Sequence, residues 1–175
     1  MKKYILFISV LAFYYLPAQC QGIKKKDILE VHQLVIDFHK KYKLGIVLRS
    51  TTNKNILKEF EFNDLNTISG NFKKKLEEND LIDFLNEIDT SKIRDYKLES
   101  KGELVLDTTK YPLTEHKLTF SPAIISNDSK KAMVLAKIYI VTTYGSTSGS
   151  IMAWFFEKID HKWVMKIVET LMYLD

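Results

Sequence analysis

A chain of 175 residues with 26 basic and 22 acidic side chains is long enough for one domain with a full hydrophobic core. Its small basic excess argues against a nucleic-acid binder, whose cations are more numerous and more clustered. The single cysteine, Cys20, excludes an intramolecular disulfide, so the fold must hold through its core alone.

Lys2 and Lys3 precede an apolar run from Tyr4 to Leu16, closed by Pro17 and Ala18. A charged start, an apolar core and a small-residue end form the order of a secretory signal peptide. The run is shorter than the roughly 20 residues of a membrane span. Residues 1–18 are therefore expected to be removed, leaving Gln19 first and residues 19–175 as a single α+β domain. Lipidation of Cys20 is the alternative, although Gln19 is larger than the residue such an enzyme prefers before the cysteine. Residues 1–18 carry two lysines and no acid, so part of the basic excess belongs to the export signal. The expected location is periplasmic, secreted or at the cell surface. Membrane contact is then confined to the signal peptide or a lipidated Cys20. The lysine triplets at 24–26 and 73–75 are each followed by acids, as on a solvated helix end or face.

In residues 27–43, Ile28, Val31, Val35, Phe38 and Tyr42 recur at spacings of three and four, the stripe of an amphipathic helix. Leu29, Leu34 and Ile36 widen the stripe, and Gly45 is expected to stop the helix. Residues 46–48 and 56–62 read as short strands joined by a polar turn at Asn53, Lys54 and Asn55. Residues 71–88 read as two helical pieces, the second capped by Asp80. A hairpin turning at Ser100, Lys101 and Gly102 is expected before a strand at 104–106. Residues 118–126 form a strand interrupted at Pro122, which favours an edge or a bulge. Asn127, Asp128 and Ser129 make a turn. Strands at 132–144, 151–159 and 163–174 follow, joined by the 145–149 loop and by a turn at Asp160, His161 and Lys162. Short turns force antiparallel pairing, hence a four-stranded C-terminal meander with N-terminal helices packed on the sheet. The middle strands are apolar on both faces, so something must cover the second face. The default is another part of the same chain; a pocket or a partner chain are the other options.

From Phe120 onward the chain resembles an uncharacterised family of small exported bacterial proteins. The resemblance rests on Phe120, Ser121 and Pro122, on residues 127–134, on the 145–149 loop and on residues 156–164. It covers roughly a third of the chain, mostly turn chemistry, and implies no activity. Members often carry cysteines in the loop between the two long strands; this chain has none there. A helix leading into a bent antiparallel sheet is also similar to the nuclear-transport-factor-2-like fold.

Few residues offer chemistry. His32 and His39 lie seven residues apart, about 10 Å along a helix axis, too far for the usual metal pair. Each reads instead as a boundary histidine bonded to neighbouring chain. His116 and Glu115 are adjacent on a strand and point to opposite faces. His161 falls in a tight turn. The 145–149 segment fails as a serine-hydrolase elbow, because its centre is Thr147 and it joins two strands. No phosphate-loop, dinucleotide or calcium-loop pattern occurs, so no cofactor is expected. Aromatic residues crowd the C-terminal strands, as a core or as the lining of a pocket. The candidate ligand-binding residues are Tyr139, Tyr144, Trp154 and Phe156, with Glu157 and Glu169 as polar groups interrupting apolar strands. The expected function is non-catalytic binding of a protein or small-molecule partner in the cell envelope. The alternative is a small-molecule-binding or isomerase-like pocket on a curved sheet.

Overall fold

The computed structural model describes residues 25–41, 45–59, 70–98, 114–142 and 147–174. Helix α1 (Lys25–Lys40) presents the apolar stripe inward, burying Val31, Val35 and Ile36. Strand β1 (Gly45–Leu48) follows; Gly45, expected as a helix stop, is its first residue. Helices α2 (Gly70–Glu78) and α3 (Leu81–Asn86) are the two pieces expected between 71 and 88. Asp80 stands at the start of α3, but its side chain makes no capping bond. Its backbone is left-handed, with φ 51°, and its carbonyl accepts from the Lys131 ammonium. The charge of Lys131 thus ties the α2–α3 joint to the sheet.

The sheet contains β2 (Thr114–Phe120), β3 (Ile124–Ile125), β4 (Lys131–Thr142), β5 (Thr147–Ile159) and β6 (Lys162–Leu174) in addition to β1. Its order is β1-β2-β4-β5-β6, with β3 also paired to β4. The fold is α+β, with an antiparallel C-terminal meander; among the described strands only β1 on β2 is parallel. Turn chemistry explains the meander. Asp160 and His161 both have positive φ, 47° and 64°, the two-residue type I′ geometry whose twist suits a hairpin. At the preceding turn the Asp128 carboxylate accepts from the Ser126 hydroxyl and the Lys130 N–H. Those bonds, the hydroxyl first, hold its pKa below the usual carboxylate value. Pro122 divides the expected 118–126 strand into β2 and β3. Two hydrogen bonds still tie the chain to β4 at the break. Leu135 N–H donates to Ser121 Oγ at 3.0 Å, and Ser121 N–H donates to the Leu135 carbonyl at 2.8 Å.

Three layers result. On one face, Val134, Ala136, Ile138, Trp154 and Phe156 meet α1. On the other, Met133, Leu135, Ala153 and Phe155 meet Leu57, Phe72, Leu76 and Leu85. The second face of the sheet is therefore covered by the chain itself, and fully burying such side chains stabilises by about 1.5–3 kcal/mol each. Asp27 fastens α1 to the β5–β6 hairpin. Its Oδ1 lies 2.6 Å from Lys158 Nζ and accepts from Trp163 Nε1 at 3.1 Å. Strand β6 closes one edge of the sheet, and its Lys166 and Leu171 are each left without a partner in the β5 register. Such bulges hinder pairing of an exposed edge with another chain.

Three expectations change. Residues 54–59 form a 3-10 helix (Lys54–Glu59), where a strand was expected over 56–62; residues 60–62 lie outside the described residues. Asn53 Oδ1 accepts from Asn55 N–H, and Asp95 Oδ1 accepts from Lys54 N–H at 2.6 Å. These bonds satisfy the first turn and drop Ile56 and Leu57 into the core. Thr147, Ser148 and Gly149 belong to β5 rather than to a loop. The sheet also contains the parallel β1–β2 pair, which the turn signals do not encode. The expected hairpin at Ser100, Lys101 and Gly102 and the strand at 104–106 lie outside the described residues.

Candidate binding cleft

The candidates named from sequence are divided between two layers. Trp154 and Phe156 are fully buried beneath α1. Trp154 lies edge-on to Phe38 and His39, and its indole N–H has no hydrogen-bond partner. Strand alternation places Tyr139, Glu157 and Glu169 on the opposite face. Tyr139 covers Gly149, its partner across the strands, and Lys137 Nζ sits 5.2 Å from its ring centre. Glu157 pairs with Lys166 at 3.2 Å, and Glu169 with Lys75 of α2 at 2.7 Å. Glu169 stands opposite Ala153, four residues along β5 from Glu157, so the two acids are separated by about 13 Å. Tyr144 lies outside the described residues. The two described tryptophan-face residues serve as core, and the two acids serve as ion-pair partners.

His32 and His39 are buried, and His32 is bonded to neighbouring backbone as expected. Its Nδ1 lies 2.7 Å from the Ile28 carbonyl and its Nε2 3.2 Å from that of Ser121. Burial pushes its pKa below the ordinary histidine value, although both carbonyls pull the other way.

A cleft of about 510 Å³ opens beside His32, at the break in the β2–β3 strand. One wall runs from Phe84 of α3 through a short 3-10 helix (Thr90–Lys92) to Tyr96. The facing wall is residues 122–127, and Ile28 of α1 reaches the base. Tyr96 joins the two walls, because its hydroxyl accepts from Ala123 N–H at 2.7 Å. Burial raises the phenol pKa and keeps the hydroxyl neutral. Tyr96 is itself clamped to Thr52, by Thr52 N–H to its carbonyl at 3.0 Å and by its own N–H to Thr52 Oγ1 at 2.9 Å. The ring of His32 lies edge-on behind it, 6.0 Å between centres.

The cleft combines an apolar interior with a charged rim. Phe84, Ile88, Ile93 and Ile124 supply the apolar part; Glu87, Asp89, Lys92 and Arg94 supply the charge. Asp89 is engaged. Lys92 Nζ lies 2.8 Å from it, and the Ser91 N–H and hydroxyl both donate to it. Those partners, Lys92 first, hold the Asp89 carboxyl down to about 2. Arg94 Nη1 donates to the carbonyls of Ser91 and Ile93, at 2.6 and 3.1 Å. Among the described residues, Arg94 has no carboxylate partner and Glu87 has no cation. The rim thus offers one unpaired charge of each sign above an apolar base.

Sequence reasoning located Pro122, which breaks the strand, but not the cleft it helps form. The opposite wall comes from residues some thirty positions earlier, and no local pattern links the two. Among the described residues no group of three His, Cys, Asp or Glu is placed to hold a metal ion. No helix among them is long and apolar enough to cross a membrane. No family model, curated protein or solved structure matches the chain. These comparisons lend no support to the resemblance read from Phe120 onward.

Proposed function

We propose that this chain is an exported binding domain of the cell envelope, and that its ligand occupies the cleft between residues 84–96 and 122–127. The carrying observation is the rim: Arg94 and Glu87 are unpaired above an apolar base of size suited to a small ligand. The other two rim charges, Asp89 and Lys92, are engaged with each other at 2.8 Å. The signal-like order of residues 1–18 supports export.

The test uses Asn127→Trp. Asn127 is exposed on the cleft wall, so an indole there plugs the mouth without disturbing the core. Thermal unfolding is followed against a library of metabolites and short peptides. The expected result is a set of ligands that raise Tm for the parent chain and leave the plugged variant unmoved. Equal shifts in both chains, or no shift in either, would overturn the cleft. Protein recovered from the envelope is expected to begin at Gln19; an unprocessed cytoplasmic chain would overturn export.

A further inference from the structure

We infer that the ligand is a short peptide segment in extended conformation, added as a strand to the outer edge of β3; this rests on the cleft reading above. The direction of the β3 backbone follows from its neighbours. The Lys130 carbonyl accepts from Lys158 N–H at 2.7 Å, so it faces β5. The Lys131 carbonyl accepts from Ser126 N–H at 2.9 Å, so it faces the β3 side. Alternation then turns Ala132 back toward β5, and its partner Ile125 forms a non-hydrogen-bonded pair. The N–H and C=O of Ile125 therefore point away from β4. Ala123, two residues earlier, points the same way, and the Tyr96 hydroxyl takes its N–H. Ile125 and Ala123 both line the cleft. The cleft is thus a slot along a strand edge with one edge donor capped and the next donor and acceptor open.

On the opposite wall the chain leaves the 3-10 helix in extended conformation at Ile93, with φ −75° and ψ 136°. An inserted strand would pair its main chain with Ile125 and seat alternate apolar side chains against Phe84 and Ile88. Its charges are specified by the rim: a carboxylate for Arg94 and a cationic group for Glu87. A fatty acid would answer Arg94 and the apolar base but neither Glu87 nor the Ile125 edge. A peptide answers all four.

The experiment uses isotope-labelled full-length protein and amide NMR. The probes are a pool of pentapeptides with apolar centres and free ends, the same pool N-methylated at alternate main-chain amides, and decanoate. Binding of the first pool is expected to shift the Ile125 amide and slow its hydrogen exchange. N-methylation in the pairing register and Arg94→Glu are each expected to weaken binding by roughly tenfold or more. Equal binding of both N-methylated registers and the parent pool would overturn the strand reading. Decanoate shifting the cleft residues while peptides fail would overturn the peptide and leave the cleft standing. Peptide binding that persists in Asn127→Trp, or no shift of any cleft residue by any probe, would overturn both.

Discussion

Acid should destabilise this protein through His32, and the geometry allows the size to be worked out. Two effects oppose each other at this ring. Both nitrogens face carbonyl oxygens, at 2.7 and 3.2 Å, and only an imidazolium can donate to both. The ring is also fully buried, and no acid pairs with it. A buried charge without a counter-ion costs several kcal/mol, more than the second carbonyl bond returns. Burial wins, and the folded pKa lies below the unfolded value of 6.5. Between those two values the unfolded chain holds one more proton, so stability is complete above pH 6.5 and falls as the pH drops. The slope approaches about 1.4 kcal/mol per pH unit, and by about pH 5 the loss reaches up to about 2 kcal/mol. Urea unfolding of the parent chain and of His32→Gln, from about pH 7.5 to 5, measures it; glutamine keeps a donor and does not titrate. The difference between the two chains isolates His32 from the carboxylates, which titrate lower. A flat difference across this window, or stability that rises as the pH falls, would refute the reasoning and assign an imidazolium to the core.

Other positions give further expectations. Gly149→Ala places a Cβ 2.9 Å from the Tyr139 ring and 3.0 Å from Leu174 Cβ, and should cost about 1–3 kcal/mol in chemical unfolding. Adding Tyr139→Ala should recover part of that loss, a non-additivity that separates crowding from backbone strain. Asp27→Ala strands the half-buried Lys158 ammonium and should cost about 3 kcal/mol, whereas Asp27→Asn combined with Lys158→Met should cost clearly less. Glu157→Gln and Glu169→Gln break more exposed pairs and should each cost under about 1 kcal/mol. Neither change should alter ligand binding in the cleft; an effect there would return the site to the sheet face.

The meander was legible because its causes are local. Asp160 and His161 need only their own turn geometry, and the Asn127–Ser129 region only its side-chain bonds to nearby N–H groups. The first helix was legible because a stripe at three and four can be buried only as a helix. Within the strand expected at 56–62, residues 56–59 are a 3-10 turn instead, for a non-local reason. Asp95, about forty residues away, caps Lys54, and the core accepts Ile56 and Leu57 from a 3-10 turn as readily as from a strand. Glu157 and Glu169 looked functional because acids interrupt apolar strands there; Lys166 and Lys75, which answer them, become visible only once the sheet and α2 are in place.

The sequence by itself determined the α+β class, the order of the meander and the break at Pro122. Each depends on periodicity or on turn residues within a few positions. Only the tertiary structure decided which face each helix covers, that β1 lies parallel on β2, and where the cleft opens. Those outcomes depend on contacts between distant segments, such as Tyr96 with Ala123 and Thr52, whose strength is set by burial and hydrogen-bond geometry rather than by neighbouring residues.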